Sequence, residues 1–137
     1  MNDLASYRLR SAHERLMAAK GNLEQGHYKD AINRSYYAIF TAIRALLAER
    51  GVDFSRHSAV ISYFQREFIK TGIFEKKFSK YLQASFEMRN DCDYADFFFA
   101  AKADAEEQYR HAEEMTEAIR RYLENGTHPL PDCCIEL

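Results

Sequence analysis

No tryptophan occurs among the 137 residues, and there are only two prolines, three cysteines and five glycines. Each shortage removes a class of protein. Pro129 and Pro131 both lie near the C-terminus, so no proline ring interrupts a helix before them. Cys92, Cys133 and Cys134 form neither a disulfide framework nor a zinc-ligand spacing. The glycines fall between periodic segments and never gather into a phosphate-cradling loop. Strand-like alternation is absent, and no uncharged apolar run approaches the length of a membrane span. Met1-Asn2-Asp3-Leu4 has no basic stretch followed by an apolar one, so no signal peptide is indicated and the expected setting is cytoplasmic. Local motifs for Ser/His/Asp or Cys/His catalysis are missing as well.

What remains is helical periodicity and a generous supply of Phe and Tyr. The length fits one domain with a real core. Ala5, Leu9, Ala12, Leu16, Ala19 and Leu23 step by four and three, predicting a first helix capped by Asn2 or Asp3 and stopped near Gly26. The second segment, about 28–50, carries two stripes. Ile32, Tyr36, Ile39, Ile43 and Leu46 are bulky, whereas Ala31, Ser35, Ala38, Ala42 and Ala45 are small. A helix with both is expected at the centre, one face filling a core and the other admitting a close neighbour. A third helix is predicted over 58–70, with Val60, Ile61, Phe64 and Phe68 inward, and a fourth over 76–91. The fifth, over 101–124, turns Ala105, Tyr109, Ala112, Met115, Ile119 and Leu123 inward and ends at Asn125-Gly126. The fold class is therefore all-α, an antiparallel up-and-down bundle of about five helices over residues 1–126, with 127–137 a flexible C-terminal tail.

Net charge is −2, which excludes a globally basic nucleic-acid binder, but the charge is uneven. Residues 56–80 hold six Lys and Arg against two acids, a stretch suited to phosphates, while 102–124 hold seven acids against four bases. Between them lie three successive phenylalanines, Phe97, Phe98 and Phe99, which cannot all face one core. Either a partner receives at least one of them, or the corner is packed on both sides.

The fourth segment closes with Arg89-Asn90-Asp91-Cys92-Asp93-Tyr94, and Phe78, Leu82, Ser85 and Arg89 share its inward stripe. An inward guanidinium needs an anion or a ligand, because burying it unpaired is costly. Its counterpart is either Asp93, one turn later, or a functional group such as phosphate. Combined with the 28–40 segment (Ala31, then Ser35-Tyr36-Tyr37-Ala38 and Phe40) and with His57-Ser58-Ala59-Val60, this motif resembles the HEPN family of small helical prokaryotic proteins. The resemblance covers about 19–122. Many members of that family are metal-independent ribonucleases in which a catalytic His follows the Arg by four to six residues, and here Tyr94 stands in that place.

The resemblance implies Arg89 and Tyr94 as catalytic positions, with Arg89, Asn90, Asp93 and His57 meeting a nucleotide or RNA. A phenol of pKa about 10 is a poor base at neutral pH, although it can stack on a base or donate a hydrogen bond. His57 could cap the third helix, bind phosphate or touch the motif from across the bundle. Asp91, Asp93 and Asp96 lack the glycine turn and distal glutamate of a calcium loop, and the histidines lack ligand spacing, so no metal or cofactor is expected. Arg34 and Arg44 belong to the polar side of the second helix, which places them in solvent. Two functions follow. One is a non-catalytic nucleotide- or RNA-binding module, a homodimer and the HEPN half of a nucleotidyltransferase-associated, toxin–antitoxin-like system. In such a system Tyr94 is the candidate acceptor of AMP. The other is an active ribonuclease toxin that cleaves RNA at a dimeric Arg89/Tyr94 cleft, and whether the chain is an enzyme is left open between them.

Overall fold

Residues 1–125 are described by a computed structural model. Expectations for Gly126, the segment 127–137, His128, Cys133 and Cys134 lie outside the described residues. Five helices make the bundle: α1 (Asp3–Glu24), α2 (Tyr28–Glu49), α3 (His57–Phe64), α4 (Lys77–Tyr94) and α5 (Lys102–Glu124). No strand occurs among the described residues.

Asn2 begins α1 as expected. Its Oδ1 accepts from the Ala5 N–H at 2.8 Å, satisfying one orphan donor of the first turn. Its Nδ2 donates to the Ala48 carbonyl at 2.8 Å, so the start of α1 is tied to the end of α2 and the pair runs antiparallel. Gly26, with φ 80°, makes the left-handed stop that permits the short α1–α2 turn. Stacking of Tyr81 on His111 at 3.8 Å and the Lys77–Glu114 ion pair set α4 antiparallel to α5 in the same way.

Central placement of α2 follows from its two stripes. Every residue of both is at most 1% exposed, and α2 packs against α1, α3, α4 and α5. α1 brings its own buried Ala5, Ala12 and Ala19 to the bundle, and small residues on both sides let backbones approach. Each bulky side chain so buried contributes about 1.5–3 kcal/mol.

Four expectations need correction. The third helix is not uniform: a π-helical turn, Gln65–Ile69, follows α3, with Lys70 N–H donating to the Gln65 carbonyl at 2.8 Å. The wider turn accompanies an aromatic cluster in which Phe64, Phe68 and Phe74 lie about 6 Å apart. Gly21 lies inside α1 and not between periodic segments, and it costs helix stability there. On α5, Gln108 is buried where Tyr109 is only half-buried. Arg44 is not simply solvated, because its Nη2 pairs with Asp53 at 3.1 Å beside Arg8, which reaches the same carboxylate.

Candidate functional site

Periodicity carries α4's inward stripe from buried Phe78, Leu82 and Ser85 to Arg89, whose side chain is 15% exposed. Its guanidinium carbon sits 5.3 Å from the ring centres of both Tyr36 and Tyr37, neighbours on α2. Nη2 donates to the Tyr37 hydroxyl at 2.8 Å. Asp93, one turn later, brings Oδ2 to 3.2 Å from Nε, within ion-pair range. It lies off the N–H direction, however, so the buried Nε has no in-line acceptor. Of the five guanidinium protons, one has a well-aligned partner among the described residues.

His57 reaches the same place from α3. It is the first residue of that helix and provides no side-chain cap. Its ring stacks on Phe40 at 4.0 Å, and Nδ1 lies 3.2 Å from the Tyr36 hydroxyl. Burial, then the positive charges of Arg89 and Arg44, hold its pKa below the ordinary histidine value. Tyr36 is fully buried, and burial pushes its phenol up to about 12 against the pull of Arg89. Arg89, Tyr37, Tyr36 and His57 thus form one contiguous group between α2, α3 and α4, with Asp93 at its edge.

The remaining candidates lie apart. Asn90, Asp91, Asp96 and Tyr94 are exposed, and Tyr94, at 71%, makes no hydrogen bond or ring contact with Arg89. Cys92 is half-buried, and burial pushes its thiol up to about 11, away from thiolate chemistry. No cluster of His, Cys, Asp or Glu among the described residues could hold a metal ion. Sequence reasoning singled out Arg89, Asp93 and His57 but missed that Tyr36 and Tyr37 join Arg89 to His57. The signal was there: a Tyr-Tyr pair on the central helix, one ring on the bulky stripe and the next just off it.

Beyond the motif, Phe98 packs on a small cluster with Ala31, Ile32, Ala100 and Ala105. Phe97 and Phe99 are 105% and 83% exposed, and Phe97 adopts φ 59°. A groove of about 840 Å³ runs between α1 and α5 past Leu9, Met17 and Tyr109, and another of about 410 Å³ passes Phe98 and Phe99. Neither is lined by Arg89 or His57.

The fold and site define a small all-helical domain in which an arginine in the last turns of a helix rests on two adjacent tyrosines, one of them bonded to a half-buried histidine. The HEPN domain matches residues 5–122, and the chain belongs to that family. A UPF0332 protein of Thermotoga maritima is 36% identical over 122 residues, 89% of this chain and 92% of its own length. A Methanocaldococcus jannaschii protein named "Putative toxin" is 36% identical over 83 residues, 61% of this chain and 62% of the relative. A second of the same name and organism is 28% identical over 111 residues, 80% and 76% of the two chains. No helix of the described residues is long and apolar enough to cross a membrane.

Proposed function

We propose that this protein is a phosphate-reading HEPN module that binds a nucleotide or RNA through Arg89. It acts as a homodimer and as the HEPN half of a toxin–antitoxin-like pair with a small nucleotidyltransferase, and its own nuclease activity is weak or absent. The observation that carries this is the under-satisfied guanidinium. A half-buried planar fork with one aligned acceptor and a buried Nε that has none is poised for an anion that offers two oxygens, as phosphate does. The toxin names of two relatives support the two-component setting. Exposed Phe97 and Phe99, a few residues beyond the motif in the chain, support a second protein surface.

Weak nuclease activity follows from Tyr94. Its hydroxyl is a poor base, and it stands out in solvent apart from Arg89. That same exposure suits an acceptor of AMP, since a modifying enzyme must reach the phenol. The proposal is tested by measuring AMP and short single-stranded RNA binding to the purified chain by calorimetry and fluorescence anisotropy. Native mass spectrometry after incubation with a nucleotidyltransferase and ATP complements this. Binding without turnover, and adenylylation at Tyr94, support it. No affinity for either ligand refutes it.

A further inference from the structure

We infer that Tyr36 fixes His57 in the neutral form carrying its proton on Nε2, which makes His57 a second hydrogen-bond donor to phosphate beside Arg89 and not a base. This rests on the proposal that Arg89 holds a phosphate group.

The argument starts from the hydroxyl. Tyr36 is fully buried, and its phenol proton has one partner among the described residues, His57 Nδ1 at 3.2 Å. Buried donors find acceptors, and a neutral imidazole has one acceptor nitrogen. The opposite assignment, with Nδ1–H donating to the phenol oxygen, leaves the Tyr36 proton stranded in the core. Loss of that proton is no alternative, because burial raises the phenol to about 12. Donation by Tyr36 therefore puts the imidazole proton on Nε2.

The surroundings keep the ring neutral. From α2 it faces Tyr36, Tyr37, Phe40 and the charge of Arg44, and from α4 the charge of Arg89. Both charged groups are cations, and burial acts in the same sense. Stacking on Phe40 at 4.0 Å fixes the plane of the ring.

Nε2 has no partner among the described residues. Tyr37 joins it to the arginine: its ring centre lies 6.2 Å from that of His57, and its hydroxyl accepts from Arg89. The charged fork and the imidazole that carries the neutral N–H thus both pack on one tyrosine. Such a pair suits the oxygens of a phosphate ester, and it leaves no acceptor nitrogen free to take a proton from a bound hydroxyl. His57 then contributes to binding without making the site a nuclease.

The test is the nitrogen spectrum of the full-length protein labelled with ¹⁵N-histidine and ¹⁵N-arginine, with His57→Gln assigning the ring among the five histidines. At neutral pH the expected pattern is a protonated Nε2 and an acceptor Nδ1, and Tyr36→Phe should convert it to a mixture of tautomers. Adding AMP should move His57 Nε2 and the Arg89 side chain together. A wild-type ring protonated on Nδ1, or an unchanged tautomer in Tyr36→Phe, overturns the inference. So does an AMP response at Arg89 without one at His57, while phosphate binding itself then survives. Silence at both residues refutes the functional proposal and the donor role with it.

Discussion

Replacing Phe97 with glycine should stabilise the isolated chain and weaken the proposed homodimer, two changes of opposite sign from one substitution. Phe97 holds φ 59°, a conformation that costs an L-residue about 1–2 kcal/mol. Glycine removes that cost but loses roughly 0.5–1 kcal/mol through the greater freedom of the unfolded chain. At 105% exposure the ring adds no burial within the chain, so the balance is a gain of about 0.5–1 kcal/mol. For a domain of this size the melting temperature should rise by about 2–5 °C. Covering one such ring contributes about 1.5–3 kcal/mol, and a two-fold contact counts it twice. The dimer dissociation constant should therefore weaken by about 10²- to 10⁴-fold. Calorimetric melting at a concentration that keeps the chain monomeric, with sedimentation velocity across a concentration series, reads both effects. A lower monomer melting temperature would refute the backbone argument. An unchanged dissociation constant would remove this corner from the interface.

Other consequences concern chemistry and pH. Tyr94→His should raise RNA cleavage above a weak baseline, because it introduces a base of pKa about 6.5 on an exposed position of the segment that begins with Arg89. Efficient metal-independent cleavage by the unaltered chain, abolished by Tyr94→His, would mean that the phenol itself does the chemistry. Burial holds His57 and His111 below the ordinary histidine value. The unfolded chain takes up those protons first, so stability should be intact above about pH 6.5 and fall as the pH drops through it. Glu117, held down to about 2 by hydrogen bonds from Arg120 and then Arg121, acts lower. Its stabilisation is complete above about pH 4.5 and lost as the pH falls toward its folded value. Urea midpoints at several pH values check both, and His57→Gln should flatten the upper limb. A midpoint that rises on acidification from neutral would contradict the assignment.

Much of the scaffold was legible in the chain. The two stripes of α2 are buried residue for residue, because a helix surrounded by neighbours leaves none of its inward positions ambiguous. The Asn2 cap and the glycine stops followed from backbone chemistry that needs no tertiary knowledge. Arg89 betrayed itself by breaking an apolar stripe. Its partners were less visible: Asp93 lies four residues away, but Tyr37 is 52 residues distant, and only packing joins them. The π turn after α3 was not legible, since periodicity over so short a helix does not distinguish 3.6 residues per turn from a wider turn. Arg44 was misplaced because its carboxylate partner sits on the α2–α3 connector, where no periodicity applies.

The role of Arg89 is decided most directly by AMP and short-RNA affinity measured for wild type, Arg89→Lys and Arg89→Ala, each with its melting curve. Truncation to alanine gives up one hydrogen bond, the ion pair with Asp93 and the contact with two tyrosine faces, about 1–3 kcal/mol of stability, which a folded domain tolerates. A charge-assisted contact to phosphate contributes about 1.5–3 kcal/mol, so affinity should fall by about 10- to 100-fold in the alanine variant. Lysine should recover only part of it, having the charge without the fork. Equal affinity of folded Arg89→Ala and wild type, or an alanine variant that cannot fold beside a wild type that binds nothing, would make Arg89 a structural ion-pair member and contradict the proposed site.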